Sequence, residues 1–166
     1  PNMLARKRGH VINISSIGVL SNAPRFSAYV ASKAALDAFS RCAAAEFSDS
    51  GIEFTTINMP LVRTPMIAPT KMYNSVPTLS PEQAADLVVE AILYKPVRIA
   101  TRLGIAGATL HALAPKITQI ILNTAFTMFP DSAAAQGREK KGEKPAEIEL
   151  TPEQMAFTQI TQGIHW

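Results

Sequence analysis

The sequence predicts an α/β fold built on a parallel sheet, and three observations predict it. Val11 to Ile14 is a short β-branched run bounded by Gly9 and by Ser15-Ser16, the pattern of a strand buried on both faces. Ile52 to Asn58 (IEFTTIN) is a second such run, about 40 residues later. Between them lies a long helix-forming segment rich in alanine, from Ser27 to a stop at Ser50-Gly51. Strand, helix, strand in that order is a crossover between parallel neighbours, and parallel pairing places ligand sites at the carboxyl ends of the strands.

The 166 residues allow one domain at the usual size, long enough to bury a core. Hydrophobic residues make up 47% and charged residues 17%, which excludes a disordered chain. A net charge of +3, spread among interleaved acids, excludes a nucleic-acid footprint. The single cysteine, Cys42, can make neither an internal disulfide nor a cysteine metal cluster, which fits a reducing, cytoplasmic setting. His10, His111 and His165 lack metal-ligand spacing. Pro1 to Gly9 is basic and precedes no apolar signal region. Pro115 and Lys116 interrupt the apolar stretch between Leu103 and Pro130, disfavouring a membrane span while leaving room for peripheral membrane contact.

The elements follow in order. Met3 to Arg8 reads as the end of a helix closed by Gly9, where a left-handed cap favours glycine. After the first strand, Ser16 to Phe26 reads as a Gly-, Ser-, Asn- and Pro-containing loop. In the Ala-rich helix Cys42 reads as small core packing. Ser80-Pro81-Glu82-Gln83 opens the next helix with an N-cap, a proline at the first helical position and a capping-box glutamine. That helix runs to about Tyr94, with Ala84, Ala85, Val88, Ala91 and Ile92 on one face. Val97 to Thr101 reads as a last strand, and Leu103 to Ala114 and Ile117 to Phe129 as two apolar helices. Ser132 to Glu147 is a composition break around the charged run Arg138 to Lys144. The expected organisation is therefore a domain over 1–131, a flexible linker over 132–150, and a terminal helix or tail over 151–166, capped at Thr151-Pro152-Glu153-Gln154.

The chemistry concentrates between Ser16 and Lys33. Tyr29 and Lys33 are four residues apart, so on a helix they share a face and can meet one ligand. Ser16 closes the preceding strand at the edge where such sheets bind ligands. A phenol is a sluggish acid or base near neutrality, and a nearby ammonium stabilises its phenolate. Lys33 can supply that charge to Tyr29, while the Ser16 hydroxyl can hydrogen-bond an oxygen that gains negative charge. A Tyr-x-x-x-Lys pair alone occurs by chance on many helices; the serine 13 residues earlier at a strand end makes the arrangement specific.

VINISS, that 13-residue spacing and YVASKAAL resemble the catalytic segment of the short-chain dehydrogenase/reductase superfamily, over roughly Met3 to Thr101. The resemblance implies a Rossmann-like doubly wound sheet, of which this chain is the carboxyl-terminal part. It implies that Ser16 orients the substrate carbonyl, that Tyr29 is the acid/base, and that Lys33 assists Tyr29 and binds the nicotinamide ribose. INMPLVRTPM matches the family loop that holds the nicotinamide end, assigning Pro60, Val62 and Thr64 to the cofactor. Met59-Pro60 stands where the family has Pro-Gly, and proline cannot donate a backbone hydrogen bond. The family's Gly-rich turn and catalytic asparagine are expected upstream of Pro1, in a dinucleotide-binding half.

Further stretches, SSIGVLSNAPRFSAYVASKAALDAFSRCAAAEF, MPLVRTPMIAPTKMY, VPTLSPEQAA, RIATRLG and LHALAPK, resemble bacterial fatty acyl-CoA reductases of this superfamily. That likeness implies reduction of a long-chain acyl-CoA thioester to the aldehyde with NADPH in preference to NADH, and membership of a homo-oligomer built on the Ala-rich helix. Arg63, Lys71, Arg98 and Arg102 are candidates for CoA or cofactor phosphates, or solvated surface. The competing readings are an oxidoreductase acting on a ketone or alcohol of a lipid or steroid-like substrate, and a non-catalytic interaction module.

Overall fold

In the computed structural model, residues 1–65, 67, 76–128 and 151–156 are described. The elements are α1 (Asn2–Ala5), β1 (Gly9–Ser16), α2 (Ile17–Ser21), α3 (Ser27–Glu46), β2 (Ile52–Met59), α4 (Pro81–Tyr94), β3 (Arg98–Ile99), α5 (Arg102–Leu113) and α6 (Pro115–Met128). The three strands form one sheet in the order β1-β2-β3, parallel throughout. The α/β fold expected from the sequence is the one observed.

β1 and β2 pair over eight residues, from Gly9 opposite Ile52 to Ser16 opposite Met59. Side chains alternate across a strand, so Asn13, Ser15, Thr56 and Asn58 lie on one face and Ile12, Ile14, Thr55 and Ile57 on the other. β2 is the buried centre: Thr55, Ile57 and Asn58 are fully buried. β1 does not match the expected strand buried on both faces. Most of its residues are half-buried and Ile14 is exposed, because among the described residues only its β2 edge is paired.

The polar face receives α3. Asn13 donates to the Ser40 hydroxyl, and Ser15 Oγ donates to the Lys33 carbonyl at 3.2 Å. The helix therefore runs antiparallel to β1, with its N-terminus at the carboxyl edge of the sheet. It ends at Phe47, and Gly51, with φ of +74°, turns the chain into β2. A side chain at Gly51 would collide with the Lys7 carbonyl, so this turn needs glycine twice over.

Other boundaries depart from expectation for local reasons. α1 stops at Ala5 and the left-handed residue is Lys7, while Gly9 begins β1. The segment after Ser16 is not wholly loop: Ser16 caps the short helix α2 by accepting from the Gly18 N–H at 3.1 Å. Cys42 is exposed and not core, because the inward residues of that stretch are Asp37, Ser40 and Ala43. β3 is only two residues long, shorter than the expected Val97 to Thr101, since Thr101 already caps α5.

The helix starts are as the sequence specifies. Ser80 Oγ accepts from the Gln83 N–H at 3.2 Å and Gln83 Oε1 accepts from the Ser80 N–H at 2.9 Å, a complete capping box. α4 packs against β2 and β1, burying Ala91 completely while leaving Ile92 exposed. α5 packs on α2, where Gly104 matters: a methyl group there would run into Ile17 and Leu20. α6 folds back on α5, and Arg25 ties it to the loop before α3 by donating to the Phe126 carbonyl at 2.9 Å with its guanidinium 4.1 Å over the Phe126 ring. A helical turn over 152–156 carries the expected cap, and Gln154 Nε2 donates to the Met128 carbonyl at 2.6 Å. The linker assigned to 132–150 and the tail beyond 156 lie outside the described residues.

Candidate active site

Ser16 is the last residue of β1 and the N-cap of α2, 8% exposed. Its hydroxyl oxygen accepts from Gly18, so the hydroxyl proton is free to be donated elsewhere. Directly opposite in the ladder is Met59, and the chain then leaves the sheet through buried Pro60. The strand tip bearing the serine and the loop bearing the expected cofactor residues thus emerge side by side.

Lys33 reaches the same edge. Its ammonium donates to the Ile14 carbonyl at 3.0 Å, two residues before Ser16, while its own carbonyl accepts from Ser15. A lysine ammonium has three donors, so two remain for other partners after that bond. Tyr29 lies one turn earlier, about 6 Å further along the axis at the helical rise, which carries it past the strand tip. Its ring is 47% exposed in the first turn of α3. Strand pairing and helix direction therefore gather Ser16, Lys33 and Tyr29 at one end of the molecule.

The loop after β2 is held by a single parallel bridge. Leu79 N–H donates to the Leu61 carbonyl and Arg63 N–H donates to the Leu79 carbonyl, both at 2.8 Å. Those bonds use the groups flanking Val62, so by strand alternation the N–H and C=O of Val62 point the other way. Thr64 follows in a bend, half-buried, and accepts from the Ile67 N–H through its carbonyl. The Arg63 guanidinium bonds the Thr78 hydroxyl at 3.1 Å. Lys71 lies outside the described residues. Arg98 donates one of its guanidinium N–H groups to the buried Asp37 at 3.2 Å. Arg102 is exposed at the start of α5.

The donor set at this edge suits a polyhydroxylated dinucleotide. Lys33 keeps two ammonium donors, Thr64 has a hydroxyl, and Val62 turns backbone polar groups away from the bridge. Pro60 contributes shape only, as it lacks an N–H.

The sequence did not single out Asp37 and Asn58. Asp37 is 2% exposed and accepts from Asn58 Nδ2 at 3.1 Å, Arg98 at 3.2 Å and Arg41 at 3.5 Å. Asn58 Nδ2 also lies 3.4 Å from the Ser16 carbonyl. The available signal was a lone carboxylate four residues after Lys33 in an alanine-rich helix, and a lone amide ending a β-branched strand.

By fold the chain is a Rossmann-like α/β protein. A solved short-chain dehydrogenase from Streptomyces avermitilis superposes on 75% of it, and on 54% of that chain, with a TM-score of 0.57 and 26% identity. The profile of the family described as short chain dehydrogenase matches residues 1–74. A fatty acyl-CoA reductase of Acinetobacter baylyi is 56% identical over 166 residues, covering all of this chain and 54% of the relative. A fatty acyl-CoA reductase of Mycobacterium tuberculosis is 49% identical over 117 residues, 70% of this chain and 40% of the relative. Over residues 1–74 the chain matches the short chain dehydrogenase family, and it spans about half the length of the curated relatives it matches.

Proposed function

We propose that these residues form the carboxyl-terminal half of an NADPH-dependent reductase that converts a long-chain fatty acyl-CoA into the fatty aldehyde. The observation that carries the reading is the convergence at one sheet edge: Ser16 at the β1 tip, the Lys33 ammonium on the Ile14 carbonyl 3.0 Å away, and Tyr29 one turn beyond. The 56% identity to the Acinetobacter baylyi fatty acyl-CoA reductase supports the substrate class.

In this reading the nicotinamide cofactor supplies a hydride when bound. Tyr29 and Lys33 would hold its ribose, with Pro60, Val62 and Thr64 at its nicotinamide end. Ser16 hydrogen-bonds the carbonyl oxygen of the thioester through its free O–H, keeping its proton, and so stabilises the charge that develops there. Tyr29 donates the proton that neutralises this oxygen, and the Lys33 ammonium stabilises the phenolate left behind. The hemithioacetal then collapses: its C–S bond breaks, the hydroxyl proton returns to the Tyr29 phenolate as the C=O reforms, and CoA leaves as the thiolate, which solvent protonates, so that the aldehyde remains. Cys42, exposed on α3, takes no part.

The test is thiol release from palmitoyl-CoA by the full-length protein in the presence of NADPH. Turnover that Tyr29→Phe reduces at least about 100-fold, within the usual range for a positioned acid, supports the reading. Thiol release that is unchanged in Tyr29→Phe overturns it, and turnover only with ketones or alcohols favours the related oxidoreductase reading.

A further inference from the structure

Beside apolar contacts such as the Phe47–Phe54 stack at its end, α3 is held to the sheet by polar side chains at several levels. Asn13 on β1 bonds Ser40, Ser15 on β1 bonds the Lys33 carbonyl, and Asn58 on β2 bonds Asp37. Asp37, on β3's side, also takes Arg98. Three successive levels of the helix are thus pinned to three strands. Asn58 is fully buried and Asp37 is 2% exposed. Apolar packing is non-directional and tolerates sliding, whereas these bonds favour one register: although Asn58 Oδ1 is buried without a partner, a shift of the helix would also strip the buried Asp37 carboxylate of the Asn58 amide.

The consequence falls on the site. Lys33 and Tyr29 lie four and eight residues before Asp37 on the same helix, so rotation or axial shift of α3 moves both relative to Ser16. Asn58 closes the loop from the other side, since its amide meets Asp37 and approaches the Ser16 carbonyl. From this geometry we infer that Asp37, with Asn58 as its partner, is a positioning residue that sets where Tyr29 and Lys33 stand relative to the Ser16 strand tip. The inference rests on the reductase reading for its functional consequence and on the hydrogen bonds alone for its structural one.

The experiment uses full-length protein carrying Asp37→Asn, which keeps the volume and removes the charge. Turnover is expressed per bound cofactor, so loss of folded protein does not count. Positioning predicts full cofactor stoichiometry, an unchanged KM for palmitoyl-CoA and a 10- to 100-fold fall in kcat, since a misplacement of about 1 Å costs about that much. Independently of activity, chemical acetylation of Lys33, followed by mass spectrometry, should accelerate several-fold as its bond to Ile14 loosens. Should Asp37→Asn fail to fold, Ser40→Ala removes the neighbouring rung by deleting one hydroxyl and should show the same pattern at smaller size. Unchanged kcat per bound cofactor together with unchanged Lys33 acetylation, in whichever of the two variants folds, overturns the inference. If the unsubstituted protein releases no CoA, the reductase reading fails, and Lys33 acetylation alone then decides whether Asp37 positions the helix.

Discussion

Ser16 serves the fold and the proposed chemistry with different parts of one hydroxyl: the oxygen caps α2 and the proton is left to donate. Ser16→Ala should therefore cost about 1 kcal/mol of stability, the usual value of an N-cap, and lower reductase turnover by about 100-fold as a lost oxyanion donor does. Ser16→Asn, which can still cap, should recover the melting temperature without the turnover; recovery of both would refute the division of labour. His10 offers a test of a different kind. Thr55 donates to the Pro96 carbonyl at 2.6 Å, so its oxygen accepts from His10 Nε2 at 2.8 Å, a bond the neutral ring makes. Burial, and then the Lys95 ammonium, push His10 below its ordinary 6.5, with Glu53 acting against them. The unfolded chain consequently binds this proton first as pH falls, so stability declines from about pH 6.5 down to the depressed native value and is flat above. Melting temperatures at pH 7.5 and 5.5 should differ less for His10→Gln than for the parent; an equal difference would show that His10 carries none of the slope.

At the scale of elements, helix starts are written locally and are accordingly the most predictable features. The capping box at Ser80 and Gln83 is fully formed, and Ser80→Ala should lower stability by about 1 kcal/mol, read by denaturant titration, with no change in cofactor affinity. Gly104 is the converse case: nothing in RLGIAG announces that α5 must come close to α2, because the collision with Ile17 and Leu20 exists only once both helices are placed. Gly104→Val should therefore destabilise the protein by about 1–3 kcal/mol, as overpacking does, and a neutral result would mean that α5 can draw back. The same distinction explains what was legible around the site. Tyr29 and Lys33 announce themselves through a helical interval, and Ser16 through its place at a strand end. Asp37 and Asn58 are 21 residues apart, and their partnership is created by the crossover that lays α3 on the sheet. Cys42 misled for a related reason: an alanine-rich helix has no strong apolar stripe to show which side faces in, and the inward side here is polar at Asp37 and Ser40.

Across the whole molecule, the groups proposed for nicotinamide recognition and those needed for pyrophosphate recognition are differently represented. The first lie together at the carboxyl edge of a three-stranded sheet. The second normally require closely spaced glycines between a strand and a helix N-terminus, so that backbone N–H groups can approach phosphate oxygens. The eight glycines of this sequence nowhere fall in a Gly-x-x-x-Gly-x-Gly spacing, and Gly104 and Gly107 lie within α5. Large apolar side chains also stand in the open, among them Phe39 on α3, Leu93 and Tyr94 at the end of α4, and Ile117 and Ile120 on α6. Such surface usually has a partner. If the dinucleotide is held jointly by this edge and by a separate phosphate-binding turn, these 166 residues alone should bind NADPH weakly, because the phosphate contacts would be lost while the ordering of the ligand is still required. NADPH fluorescence titration should then show no stoichiometric binding to the 166-residue chain and clear saturation with the full-length protein. Tight one-to-one binding by the short chain would mean that the sheet edge around Ser16, Lys33 and Thr64 suffices, and that the phosphates find their donors among residues described here, Arg63 and Arg102 first.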